Sequence, residues 1–232
     1  MNYIFDIDGT IAPARQRMPL EHRRIFADWT IEQKRKDNRV FFVTGGGRIT
    51  TVNRIGVSLW RFVDGVYQCC GNQLYIRGRK IKESTWKMSA KLHYDIICLI
   101  HESTWYEDGK LNIEERKGMI NVSTVGRDCS KAVRKKYFEW DKTNSERKHL
   151  IDILSKEYPE LEFSIRGDIG VDIYPKGRDK SQVLADMSGV NIFFGDRCEE
   201  GGSDHNIAMM SDEYYHVKDW NHTYEIIKEI DD

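Results

Sequence analysis

The 232-residue sequence lacks any apolar run long enough to span a bilayer. Its first residues lack the basic and apolar regions of a secretory signal, so a soluble cytosolic chain is expected. It also lacks an excess of either charge: 36 basic residues stand against 37 acidic ones, which argues against a general binder of nucleic acid or acidic polymers. The five cysteines (69, 70, 98, 129 and 198) have no Cys-x-x-Cys spacing, and adjacent Cys69 and Cys70 read as reduced and partly buried. The seven histidines lack paired spacing, which argues against a zinc site. There is no internal repeat and no low-complexity segment. The length allows one large domain, or a core carrying a smaller insert.

What is present is organised around Tyr3-Ile4-Phe5-Asp6-Ile7-Asp8-Gly9-Thr10. A short apolar run of this kind reads as a buried parallel strand. In open α/β sheets the ligand crevice lies beyond the carboxyl ends of the strands, which is where Asp6 and Asp8 fall. Alternation along an extended chain would send both carboxylates the same way. Two such carboxylates repel unless a cation or a shared proton compensates them, and the simplest cation for oxygen ligands is Mg2+. An aspartate beside Mg2+ can act as a nucleophile toward phosphorus. The alternative is a strand end that merely turns at Asp-Gly.

Further along, Ala12-Pro13-Ala14-Arg15-Gln16 is a loop that brings an arginine near the carboxylates. A helix is expected from Leu20 to about Lys36, and a second buried strand over Arg39–Val43. That strand stops at Thr44-Gly45-Gly46-Gly47, a hydroxyl and bare glycines able to offer N–H groups to a phosphate. Strands are expected over Phe62–Val66 and Gln73–Ile76. From about Lys82 the pattern changes: a helix over Met88–Ile100, a hairpin of Leu111–Glu115 and Met119–Ser123, one long helical region from Ser130 to Lys156, then strands around Phe163 and Asp172. This run has no βαβ alternation and suggests an α+β module. The expected organisation is a core over 1–81, a cap over 82–177 and the rest of the core over 178–232. In that last part a third buried strand, Val190–Phe194, ends in Gly195-Asp196, with Asp204 eight residues on in a glycine-rich loop. Asp196 fits as a metal ligand, with Asp204 direct or water-bridged. Lys180, in the turn before that strand, would neutralise the nucleophile and the transferred group.

The Asp6-Ile7-Asp8-Gly9-Thr10 motif, Thr44, Lys180 and Asp196 in this order resemble the haloacid dehalogenase superfamily. The resemblance implies an α/β fold: a Rossmann-like parallel-sheet core with an inserted α+β cap of the C2 type. It implies that Asp6 is nucleophile and metal ligand, that Asp8 is general acid/base and also counted among the metal ligands with Asp196 and Asp204, and that Thr44, Gly45 and Gly46 bind phosphate. The cap segment from Ile113 to Ser130, with Arg134, is similar to the eukaryotic α-phosphomannomutase family. So are Pro13–Gln16, Phe163–Ile165, Val171–Gly177, Phe193–Asp196 and Gly201–His205. This likeness implies interconversion of mannose 1- and 6-phosphate, with glucose phosphates as further substrates, feeding GDP-mannose synthesis. It implies Mg2+, a hexose 1,6-bisphosphate activator, a homodimer through the cap, and substrate contacts from Arg15, Arg116, Asn121, Arg127, Arg134 and Asp172. The chain departs from the family at Gly170, where a phosphate-binding serine is usual, at Asp168 in place of a glutamine, at Gly47 in place of a serine, and at Arg178 in place of a tryptophan. A sugar-phosphate phosphatase and a non-catalytic sugar-phosphate-binding protein are the alternative readings. Trp86, Trp105 and Trp140 are expected in the cap core, the alternative being a dimer interface.

Overall fold

The structure, a computed structural model, describes residues 1–230. In chain order the first elements are β1 (Asn2–Phe5), α1 (Leu20–Arg35), β2 (Arg39–Val43), α2 (Arg48–Ile55), α3 (Val57–Phe62), β3 (Gly65–Gln68), β4 (Gln73–Ile76) and β5 (Arg79–Glu83). Next come α4 (Ala90–His101), β6 (Ile113–Arg116), β7 (Met119–Val122), α5 (Lys131–Asn144), α6 (Glu146–Glu157), β8 (Leu161–Arg166) and β9 (Gly170–Pro175). The chain ends with a 3-10 turn (Lys180–Asp186), β10 (Asn191–Gly195), α7 (His205–Met210), β11 (Glu213–His216) and α8 (Trp220–Glu229). Two compact units result: Met1–Ser84 with the chain from Arg178 onward, and Thr85–Gly177. Among the described residues no helix is long and apolar enough to cross a membrane.

Alternation of side chains builds the first unit. Its sheet runs β11-β10-β1-β2-β3-β4-β5, parallel through β3 and antiparallel beyond it. Tyr3 and Phe5 face one side, where Phe26 and Trp29 of α1, Trp60 of α3 and Tyr224 of α8 cover them. Ile4 faces the other side with Phe41, Val43 and Phe193, under Val183 of the 3-10 turn and Ile207 of α7. A sheet apolar on both faces needs a layer on each, which gives the doubly wound arrangement.

The expected strand over Phe62–Val66 is corrected. Phe62 closes helix α3, and β3 begins only at Gly65. Leu59, Trp60 and Val63 are buried at helical spacing while Phe62 is 36 % exposed, so the period there is that of a helix. The sheet also continues past residue 81, because β5 pairs with β4 as an edge strand.

The second unit is a four-stranded antiparallel sheet, ordered β6-β7-β9-β8. One face is apolar (Ile120, Val122, Val171, Ile173) and packs on Leu92, Ile96 and Ile100 of α4 and Leu150 and Leu154 of α6. Trp86 packs against this core, and Trp105 and Trp140 pack with Tyr137 in a smaller cluster. The single long helix expected over 130–156 is two helices. Ser145 lies between them at φ 56°, and Arg147 and Asp141 join across the break in a buried ion pair at 2.7 Å.

Candidate active site

β1 ends at Phe5, and its register places Phe5 beside Phe194 of β10 and Phe42 of β2. Asp6, Asp196 and Thr44 therefore follow neighbouring parallel strands out of the same edge of the sheet. After Asp6 the chain folds into a tight loop in which the Ile7 carbonyl accepts from the N–H groups of Ile11 and Ala12, each at 3.1 Å. α8 holds this loop from behind, with the Tyr224 hydroxyl donating to the Ile11 carbonyl at 2.9 Å. Gly9 is required: its φ is +99°, and a Cβ there would sit 2.3 Å from Asp196 Oδ2.

Lys180 is positioned by its neighbour. Asp179 caps the 3-10 turn by accepting the Ser181 N–H at 2.7 Å, which makes Lys180 the first residue of the turn. Lys180 is only 5 % exposed, and its ammonium donates to Asp6 Oδ1 at 2.5 Å and Asp204 Oδ1 at 2.6 Å. The Arg197 N–H donates to Asp204 Oδ2 at 3.2 Å. One carboxylate oxygen each from Asp6, Asp196 and Asp204 lie within 4.8 Å of one another.

Burial pushes the Asp6 carboxyl well above the usual carboxylate range; Lys180 opposes that rise, and Asp204 and Asp196 add to it. Asp196 is pushed up to about 6, chiefly by burial and then by Asp204. Burial works against the Lys180 ammonium, but Asp204 and Asp6 outweigh it and hold the proton more firmly than usual. Three carboxylates against one ammonium leave two negative charges uncompensated when all are ionised, the charge of one divalent ion. The donors are hard oxygens, and Gly9 leaves the space beside Asp196 open. The residues fit Mg2+.

Asp8 is not part of this acid cluster. Because β1 stops at Phe5, the alternation that would align Asp6 with Asp8 no longer applies. Asp8 Oδ1 instead accepts from Arg54 Nε at 2.8 Å and from the Arg15 backbone N–H at 2.7 Å. Arg15 takes a φ of 60° in making that contact, and its side chain is exposed. At the end of β2 the Thr44 hydroxyl accepts the Gly46 N–H at 3.1 Å, and Gly47 immediately precedes α2. Two neighbours of this edge escaped the sequence reading. One is Arg54. The other is buried Cys70, whose Sγ lies 3.6 Å from where a Gly45 Cβ would be.

In the second unit, register puts Glu114, Asn121, Asp172 and Ser164 in one row across β6, β7, β9 and β8. Asn121 Nδ2 donates to Asp172 Oδ1 at 2.5 Å, while the buried Asn121 Oδ1 has no donor among the described residues. Glu114 Oε2 accepts from Arg116 Nη2 at 2.7 Å and Arg127 Nε at 3.2 Å. Burial works to raise the Glu114 carboxyl, but the two arginines outweigh it and hold it below its ordinary value. Arg127 loses basicity to burial and to the nearby Arg116 and Arg134. The structure thus brings Arg116, Asn121, Arg127, Arg134 and Asp172 together on one side of the sheet. Glu114, missed in the sequence, was signalled by its place two residues before Arg116 on the same strand face.

The family model for eukaryotic phosphomannomutase matches residues 103–231. A phosphomannomutase of Encephalitozoon cuniculi is 30 % identical over 229 residues, which cover 90 % of this chain and 85 % of that one. A Glycine max phosphomannomutase is 30 % identical, covering 88 % and 85 % respectively. The chain belongs to the eukaryotic phosphomannomutase family. Among solved structures, the C-terminal domain of the Candida albicans trehalose-6-phosphate phosphatase aligns with a TM-score of 0.61 at 16 % identity, covering 99 % of this chain and 75 % of that one. The haloacid dehalogenase subclass IIB sugar phosphatase BT4131 aligns with a TM-score of 0.61 at 14 % identity, covering 99 % and 98 %. At such identities these two establish the fold alone: a haloacid dehalogenase core with a cap.

Proposed function

We propose that the protein interconverts mannose 1-phosphate and mannose 6-phosphate, and to a lesser extent the glucose phosphates, by phosphoryl transfer through Asp6. The observation that carries this reading is the set of buried Asp6, Asp204 and Lys180 with half-buried Asp196 in a chain of this family. Asp6 attacks phosphorus, and Lys180 offsets the charge that builds on the transferred group. Asp8 gives a proton to the departing sugar oxygen and takes one from the incoming hydroxyl, a single group serving both directions. Asp6, Asp196 and Asp204 would hold Mg2+, which would supply charge neutralisation for the anionic oxygens. Thr44, Gly45 and Gly46 take the transferred phosphate. Arg15, Arg116, Arg127 and Arg134, with Asn121 and Asp172, take the sugar and its other phosphate, since guanidinium forks match phosphate oxygens.

A hexose 1,6-bisphosphate primes Asp6, and the working form is a cytoplasmic homodimer paired through the cap. Gly170 favours one competing outcome, hydrolysis of the sugar phosphate, because it supplies no hydroxyl where the family's serine would hold phosphate. Phosphorus NMR of the protein with Mg2+, mannose 1-phosphate and a trace of glucose 1,6-bisphosphate separates the two. Mannose 6-phosphate that grows only with the bisphosphate present supports the mutase. Inorganic phosphate released with or without it replaces the mutase by the phosphatase.

A further inference from the structure

The geometry points to Arg54 as a positioning residue that locks the Asp8 carboxylate so that proton transfer runs through Oδ2 alone. The inference rests on the reading of Asp8 as the group that exchanges a proton with the sugar oxygen. Arg54 Nε and the Arg15 N–H both donate to Oδ1, at 2.8 and 2.7 Å. Among the described residues no donor reaches Oδ2. Two donors on one oxygen stop the carboxylate from rotating and leave the other oxygen open to a substrate.

The clamp is built into the backbone on both sides. The Met18 N–H donates to the Arg54 carbonyl at 2.8 Å, which ties the end of α2 to the loop that carries Asp8 and Arg15. Arg23 Nη2 donates in turn to the Met18 carbonyl at 3.2 Å. Thr51 and Ile55 flank Arg54 on α2 and are buried, so the helix cannot roll to withdraw the guanidinium. Arg15 adopts a left-handed backbone, uncommon for a residue with a Cβ, and in that conformation its N–H reaches Asp8. A partly exposed ion pair of this kind contributes little to stability. Its consequence is geometric.

In the forward step the bond between phosphorus and the sugar oxygen breaks, a bond to an Asp6 oxygen forms, and the sugar oxygen leaves with the proton from Asp8 Oδ2. In the return step the incoming hydroxyl gives its proton to Oδ2 as its oxygen bonds to phosphorus and the Asp6 bond breaks. Arg54 exchanges no proton; it decides which oxygen does. An orientation error at such a group costs about 100-fold in rate.

The test measures phosphorylation of Asp6 by rapid quench, with Mg2+ present, from two radiolabelled donors. A hexose 1,6-bisphosphate needs its leaving sugar oxygen protonated. Acetyl phosphate, whose leaving acetate is stable, does not. Arg54→Gln is expected to slow the hexose phosphate step roughly 10- to 100-fold at saturation with KM within about twofold, and to slow the acetyl phosphate step by no more than about threefold. Arg54→Lys, which keeps the charge and a donor, should recover part of the loss. In an Asp8→Asn background Arg54→Gln should add nothing, since both act through one proton transfer. Equal losses with the two donors, or a loss that adds to that of Asp8→Asn, overturns the role of Arg54. Should Asp8→Asn itself spare the hexose phosphate step, the reading of Asp8 fails first and the clamp falls with it.

Discussion

Removing Lys180 probes the core site most directly, because its ammonium is the sole protein cation donating to two buried carboxylates among the described residues. Lys180→Met keeps the side-chain length and deletes the charge. Asp6 and Asp204 are then left buried without the donor that sat 2.5 and 2.6 Å away. Breaking a buried pair in this way costs about 3–5 kcal/mol. For a chain of this size each kcal/mol moves the midpoint by roughly 2–4 °C, so the metal-free variant should melt about 6–20 °C lower. The lower end applies where Asp6, already inclined to protonate by burial, takes up a proton and softens the repulsion. Mg2+ then reverses part of the loss. With the ammonium gone, the same three carboxylates meet the metal without a competing cation, so the rise in melting temperature on adding Mg2+ should be larger in the variant than in the parent. The assay is differential scanning calorimetry of both proteins, first in a chelator and then across a Mg2+ series, beside phosphoryl-transfer rates. The variant should gain stability from metal while remaining inactive. A metal-free variant that melts within about 2 °C of the parent, or equal gains from Mg2+ in both, would refute the reasoning.

Two further perturbations check separate parts of the site. Gly9→Ala sets a methyl group 2.3 Å from Asp196 Oδ2 at a φ of +99°, so it should cost about 1–2 kcal/mol in backbone strain and displace Asp196; calorimetric Mg2+ affinity should fall by about tenfold or more, and unchanged affinity would mean that Asp196 does not bind the metal. Glu114 is held below its ordinary value of 4.5 by Arg116 and Arg127, so its contribution to stability is present above that value and is lost as pH falls through the depressed one. The melting temperature of the parent should therefore exceed that of Glu114→Gln at pH 7, with the gap closing in acid below 4.5; a gap that persists there removes the ion pairs as its cause.

Much of this could be read in advance where one physical constraint acted alone. Tyr3-Ile4-Phe5 and Val40-Phe41-Phe42-Val43 had to be buried on both faces, and parallel pairing then carried the residues after them to one edge. Asp6 and Asp196 converge for that reason, and Asp179 capping and the loop around Asp204 complete the set. Reading failed where two periods fit the same letters, as at Trp60-Arg61-Phe62-Val63, and where an element needs no apolar residues. β5, Arg-Lys-Ile-Lys-Glu, is an edge strand with four exposed positions, and its charges suit an edge that must not pair with another chain. Asp8 was placed by strand alternation that the structure ends at Phe5. Arg54 lies 46 residues from Asp8, and no local pattern announces a contact of that span.

Composition concealed the most informative feature. A net charge of −1 describes a chain with no preferred electrostatic partner. The side chains are sorted otherwise. One cluster in the first unit sets three carboxylates against a single ammonium, an imbalance that a divalent cation closes. One cluster in the second unit sets Arg116, Arg127 and Arg134 against Glu114 and Asp172, an imbalance that an anion closes. Both clusters are partly or wholly buried, where an unmatched charge is expensive and water screens it weakly. Folding alone gives no reason to keep either imbalance, because apolar residues would pack in these places at lower cost. The two excesses have opposite signs, so the first suits a cation and the second an anion.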